Sequence, residues 1–77
     1  MKEVSKKILP KYFKEVYAGN KTFELRKDED DIQAGDRLYL REWNGTYTGN
    51  GFVTTVKYVL RNVPEYGLVE GYCIIGW

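Results

Sequence analysis

Apolar positions change their spacing several times along this chain, and each change marks an element. Lys2 to Leu9 has a mixed pattern in which Val4, Ile8 and Leu9 are the clear apolar members, and it predicts a first strand. From Pro10 the spacing becomes helical. Tyr12, Phe13, Val16 and Tyr17 form one stripe, with Lys11, Lys14 and Glu15 outside it. Pro10 suits the first helical position, where a missing N–H costs little. Gly19 or Asn20 can take the left-handed conformation that ends a helix. The expectation is a helix over Pro10–Ala18, too short to persist alone and so obliged to dock. Residues 22–27 then alternate as a second strand. Thr22, Glu24 and Arg26 share one face and Phe23 and Leu25 the other, which reads as a polar site beside a packed core.

Asp28 to Asp31 interrupts this strand, because adjacent acids repel one another and favour solvent. The run lacks the ligand spacing and glycine of a calcium loop and reads as a solvated turn. Ala34-Gly35-Asp36 is a second turn signal. Arg37–Trp43 predicts a third strand, with Leu38 and Leu40 on one face and Tyr39, Arg41 and Trp43 on the other. Asn44-Gly45 and Gly49-Asn50-Gly51 predict a hairpin or a longer loop. Phe52–Arg61 is the longest strand candidate, and apolar residues on both its faces imply cover on both. Asn62–Gly71 reads as a loop and Tyr72–Trp77 as the closing strand. Strands in this number with one early helix predict a single α+β, mainly β domain over residues 1–77, its sheet curled or closed into a small barrel to limit exposed edges.

Composition narrows the function classes. A chain of 77 residues, 43% hydrophobic and 30% charged, is globular with a thin stability margin. Seven of its twelve aromatic residues are tyrosines, which serve a small core or a stacking surface equally well. The single cysteine, Cys73, lies in an apolar stretch and reads as an inert core thiol. With no histidine, Ser-His and Cys-His catalysis are excluded, and no zinc site or other metal or cofactor is expected. No apolar run approaches the length of a membrane span, no signal peptide is visible and Met1 opens the chain, so a complete small cytoplasmic protein is expected. Charge is uneven: residues 1–27 carry a net +5, residues 28–36 a net −5 and the remainder +1. The basic third suits phosphates, although isolated surface lysines need no such explanation.

The candidate chemistry gathers at Lys21, Thr22, Glu24 and Arg26, with Tyr17 as an accessory. Arg26 offers a planar fork to a phosphate or base edge, Lys21 a compact charge, and Glu24 an acceptor for a base amino group. Tyr12, Tyr17 and Trp43 are candidate stacking faces, which favours single-stranded RNA or a nucleotide-like ligand. The plainer reading pairs Glu24 with Arg26 across one strand face and uses Lys21 to cap the helix end. Catalysis would need Lys21 and Glu24 as base and activator, and Glu65 or Glu70 as a second acid.

The segment Gly19-x-Lys21-x-x-Glu24-x-Arg26 resembles the signature of the ASCH domain, in the PUA-like superfamily. Lys7-Ile-Leu-Pro-Lys-Tyr-Phe, Gly35-Asp36 and Tyr66-Gly-Leu-Val-Glu-Gly-Tyr-Cys-Ile-Ile-Gly extend the likeness to a compact bacterial and phage subgroup. The resemblance implies a PUA-like β-barrel with one N-terminal helix packed beside it and a cleft between them lined by the signature residues. It implies RNA binding, in transcription-coactivation or translation-related settings. Some similar small members hydrolyse acylated cytidine nucleosides and carry a threonine where Glu24 stands, a departure that argues against an amidohydrolase here. The subgroup's histidine near position 4 or 5 is replaced by Val4-Ser5. A regulatory or protein-interaction domain is the third reading.

Overall fold

The computed structural model describes residues 1–77. It is mainly β with one α-helix. The elements run β1 (Glu3–Ile8), α1 (Pro10–Tyr17), β2 (Phe23–Lys27), β3 (Arg37–Trp43), β4 (Tyr47–Thr55), β5 (Tyr58–Leu60), a 3-10 turn (Pro64–Tyr66) and β6 (Tyr72–Gly76). They form two three-stranded sheets. In the first, β3 lies between β1, to which it is parallel, and β4, to which it is antiparallel. In the second, β6 pairs antiparallel with both β2 and β5. No ladder joins the two sheets into a closed barrel.

The predicted helix is present. Pro10 opens it and Ala18 follows its last residue. Gly19 then takes a φ of +82°, its N–H donating to Val16 while the N–H of Asn20 donates to Glu15. This pair of bonds is a Schellman close. Phe13 and Val16 carry the helix into the core, where Ile8, Ile32, Leu38, Leu40, Val56, Cys73 and Ile75 meet them. Each such burial contributes about 1.5–3 kcal/mol, enough to fix an eight-residue helix that could not hold itself.

Two expectations about strands are corrected. Phe52–Arg61 is not one strand. β4 begins five residues earlier, passes through Gly49-Asn50-Gly51, and ends at Thr55; β5 then starts a different sheet. Between them Val56 is buried, bonded to the Gly35-Asp36 turn on both sides, and the N–H of Lys57 donates to Gly76. Apolar residues on both faces of the segment reflect this transfer between sheets. The acidic run is likewise more than a solvated turn. Arg61 grips Asp28 through Nε at 2.6 Å and Nη2 at 3.1 Å and also reaches the carbonyl of Ile32. Those hydrogen bonds hold the Asp28 carboxyl below its ordinary range. Asp30 meets Lys6, whose position on the inner face of β1 explains that strand's mixed pattern. Cys73 is buried as expected, and burial pushes its thiol pKa up, away from reactivity.

Asp36 is buried at the start of β3 and ties the amino terminus to this turn. Its carboxylate accepts from the N–H groups of Gln33 at 2.9 Å and Lys2 at 3.0 Å, and Lys2 Nζ lies 3.2 Å away. These bonds lower its pKa from 3.8 to about 2. Because the folded value is the lower one, ionised Asp36 stabilises the fold above pH 3.8, and the contribution disappears as pH falls through about 2. Asp36→Asn should therefore lower the thermal midpoint at neutral pH, with the gap from wild type closing between those two values. A gap that stays constant down to pH 2 would show that the carboxylate charge contributes nothing.

Candidate functional site

A cleft of about 420 Å³ opens between the β1–α1 junction and the free edge of β2. Main-chain direction shapes it. Thr22 accepts from the N–H of Trp77 and Asp28 donates to Gly71, so the even residues of β2 face β6. In an antiparallel pair the intervening residues turn their N–H and C=O groups the other way. Phe23 and Leu25 thus present backbone polar groups at the open edge.

The side-chain faces of β2 are the reverse of a simple hydrophobic-in pattern. Glu24 is 6% exposed, while Phe23 and Leu25 are 49% and 58% exposed. The alternation itself is as predicted, but the polar face is the buried one. The Glu24 carboxylate is tolerable there because both oxygens are occupied. Lys21 Nζ meets Oε1. Arg26 Nε donates to Oε2 at 2.8 Å, with Nη2 2.7 Å from the same atom. Lys21 also donates to the carbonyl of Phe23 at 2.7 Å, and Arg26 Nη2 to that of Lys7. The Glu24–Arg26 pairing agrees with the plain structural reading. Lys21 does not cap the helix with its side chain; its main-chain N–H does so, donating to Glu15.

Around this floor stand Lys7, Ile8, Leu9, Tyr12, Phe23 and Leu25. Lys21 Nζ lies 5.0 Å from the Phe23 ring centroid and 5.6 Å from that of Tyr12. The result is an apolar-walled cleft with one bound carboxylate, the two cations fixed on it and Lys7 at the rim, two net positive charges in all. Such a site suits a ligand with a flat apolar body and an anionic or hydrogen-bonding edge.

Of the residues singled out from the sequence, Lys21, Glu24 and Arg26 come together. Two accessories do not. Thr22 is exposed and does not line the cleft. Tyr17 is 72% exposed and lines a separate depression with Phe13, Gly49, Asn50 and Gly51. The helical stripe put Tyr12 and Tyr17 together, but they sit in the first and last turns of the helix and line different depressions. Tyr12 is the one in the cleft; Trp43 is not. Neither Glu65 nor Glu70 reaches the cleft, so Glu24 is its only acid. Lys7, Ile8 and Leu9 were missed by residue-type reasoning. They join the cleft because the β1–α1 junction lies against the β2 edge, a tertiary contact that carries no local signal.

Removing the Glu24 carboxylate leaves two cations facing each other over a cavity. Glu24→Ala should cost about 3 kcal/mol in chemical denaturation, the low end for breaking a buried pair because both partners touch solvent. A loss under about 1 kcal/mol would put the triad among ordinary surface ion pairs.

No curated protein matches the chain. A family model described as a domain of unknown function, DUF3850, matches residues 5–77, which takes in β2 and every residue of the cleft. The chain belongs to the DUF3850 family.

Proposed function

We propose that the cleft binds a nucleotide unit of single-stranded RNA, or a nucleotide-like ligand, and that the domain is a binding module and not an enzyme. One observation carries this: Lys21 and Arg26 are both fixed on buried Glu24 at the floor of an apolar, aromatic-walled cleft. Fixing them before binding lowers the entropy cost of meeting a phosphate or base edge. Tyr12 and Phe23 offer faces for a base. The resemblance of the β2 segment to the ASCH signature, whose family is proposed to bind RNA, points the same way as an analogy of motif.

An amidohydrolase acting on acylated cytidine is the less favoured reading. Hydrolysis needs a second group poised to take or give a proton, and the cleft has no acid besides Glu24. Lys21 is committed to Glu24 and to the Phe23 carbonyl. A regulatory or protein-interaction role has no distinct site to support it.

The test is a titration with short single-stranded RNA at two salt concentrations. Lys21→Ala and Arg26→Ala are examined separately, so that Glu24 keeps one cation in each. Wild type should bind more tightly at low salt, and each variant should lose about tenfold or more. Absence of binding at low salt, together with turnover of an acylated cytidine, would replace this proposal with the hydrolase.

A further inference from the structure

The outer face of the β1–β3–β4 sheet carries cations that no carboxylate neutralises. Arg26, Arg37 and Arg61 each meet an acid, at Glu24, Glu3 and Asp28. Arg41 does not. Its guanidinium lies 3.6 Å from the centroid of the Tyr47 ring and 5.9 Å from that of Tyr39. Lys7 is also without an acid, and its Nζ lies 4.7 Å from the centroid of the Trp43 ring and 5.9 Å from that of Tyr47. The sheet register explains the grouping. Lys7 sits opposite Arg41, Arg41 opposite Gly51, and Trp43 opposite Tyr47. The nearest acid in sequence, Glu42, accepts from Thr48 and Asn50 through Oε1 and forms no ion pair with Arg41 or Lys7.

Gly51 shapes this face by lacking a side chain. A Cβ there would come within 2.5 Å of Tyr39 Cε1, so the Tyr39 ring lies across the glycine, against the sheet. The outcome is a row of planar groups, Tyr39, Arg41, Tyr47 and Trp43, with two unneutralised positive charges among them. Lys7 belongs to this row and also lines the cleft, so the two surfaces are continuous.

We infer that this face is a base-stacking platform for single-stranded RNA, taking nucleotides adjacent to the one in the cleft. The inference rests on the RNA reading of the cleft and extends it from one nucleotide to a short path. Planar cations and aromatic rings accept bases of any sequence on their faces, while Lys7 and Arg41 attract the intervening phosphates. A basic peptide or a membrane partner is less suited: the acid on this face, Glu3, already meets Arg37, and no contiguous aliphatic surface is present.

The experiment compares the dinucleotide UpU with hexauridylate, using wild type, Lys21→Ala, Arg41→Ala and Tyr47→Ala, each first checked for native circular dichroism. Arg41 and Tyr47 lie outside the core and outside the cleft. Wild type should bind the hexamer at least about tenfold more tightly than the dimer, the worth of one stacked base. Arg41→Ala and Tyr47→Ala should erase most of that advantage and leave dimer binding unchanged. Lys21→Ala should weaken the dimer. If the hexamer advantage persists in both platform variants, or is absent in wild type, the platform is overturned whatever the cleft does. If the dimer is not bound but the hexamer is, and the platform variants abolish it, the cleft reading fails and the platform stands.

Discussion

The Glu24 carboxylate, buried on the inner face of β2, constrains much of what surrounds it. A charge in that position is costly unless its oxygens are bonded. Lys21 and Arg26 supply those bonds, one oxygen each. Holding them there fixes three further features. It turns Phe23 and Leu25 outward. It requires the Schellman close at Gly19, which delivers Lys21 to the strand from the correct side. It also ties the open edge of β2 to β1, where Arg26 reaches the carbonyl of Lys7. The cleft is the space this arrangement leaves.

Beyond the core that they share, the two sheets are fastened by their connections. Val56 passes the chain from one to the other while bonded to the Gly35-Asp36 turn. Arg61 ties the end of β5 to Asp28, just past β2, and Lys6 of the first sheet reaches Asp30 in the same run. Asp36 gathers Lys2 and Gln33. The acidic segment that stands out in the sequence is therefore a fastening for basic residues from three different places. This helps a domain whose buried core is only nine hydrophobic residues.

The cations that have a side-chain partner divide by what that partner is. Some are matched to acids and hold the fold, as Arg61 and Lys2 do. Others, Lys7 and Arg41, rest on aromatic rings and keep their charge available. Lys21 and Arg26 stand between the groups: two cations share one acid, so the cleft is ordered yet remains positive. A small domain can build a binding surface this way without loosening its core.

Local chemistry determined the helix, its proline start and its glycine end, because these depend on neighbouring residues alone. It also determined the alternation in β2, the strand at Arg37–Trp43 and the inertness of Cys73. The grouping of Lys21, Glu24 and Arg26 was legible for the same reason, since residues two or three apart cannot separate far. Tertiary structure decided which face of β2 turned inward. Alternation specifies two faces but not which is buried, and here ion pairing outweighed hydrophobicity. It decided that Phe52–Arg61 would divide between sheets, because a bend at Val56 depends on a turn twenty residues earlier. It also decided that Tyr12 and not Tyr17 would join the cleft, and that Lys7 and Arg41 would meet aromatic rings. Those pairings come from sheet register, which no local pattern carries.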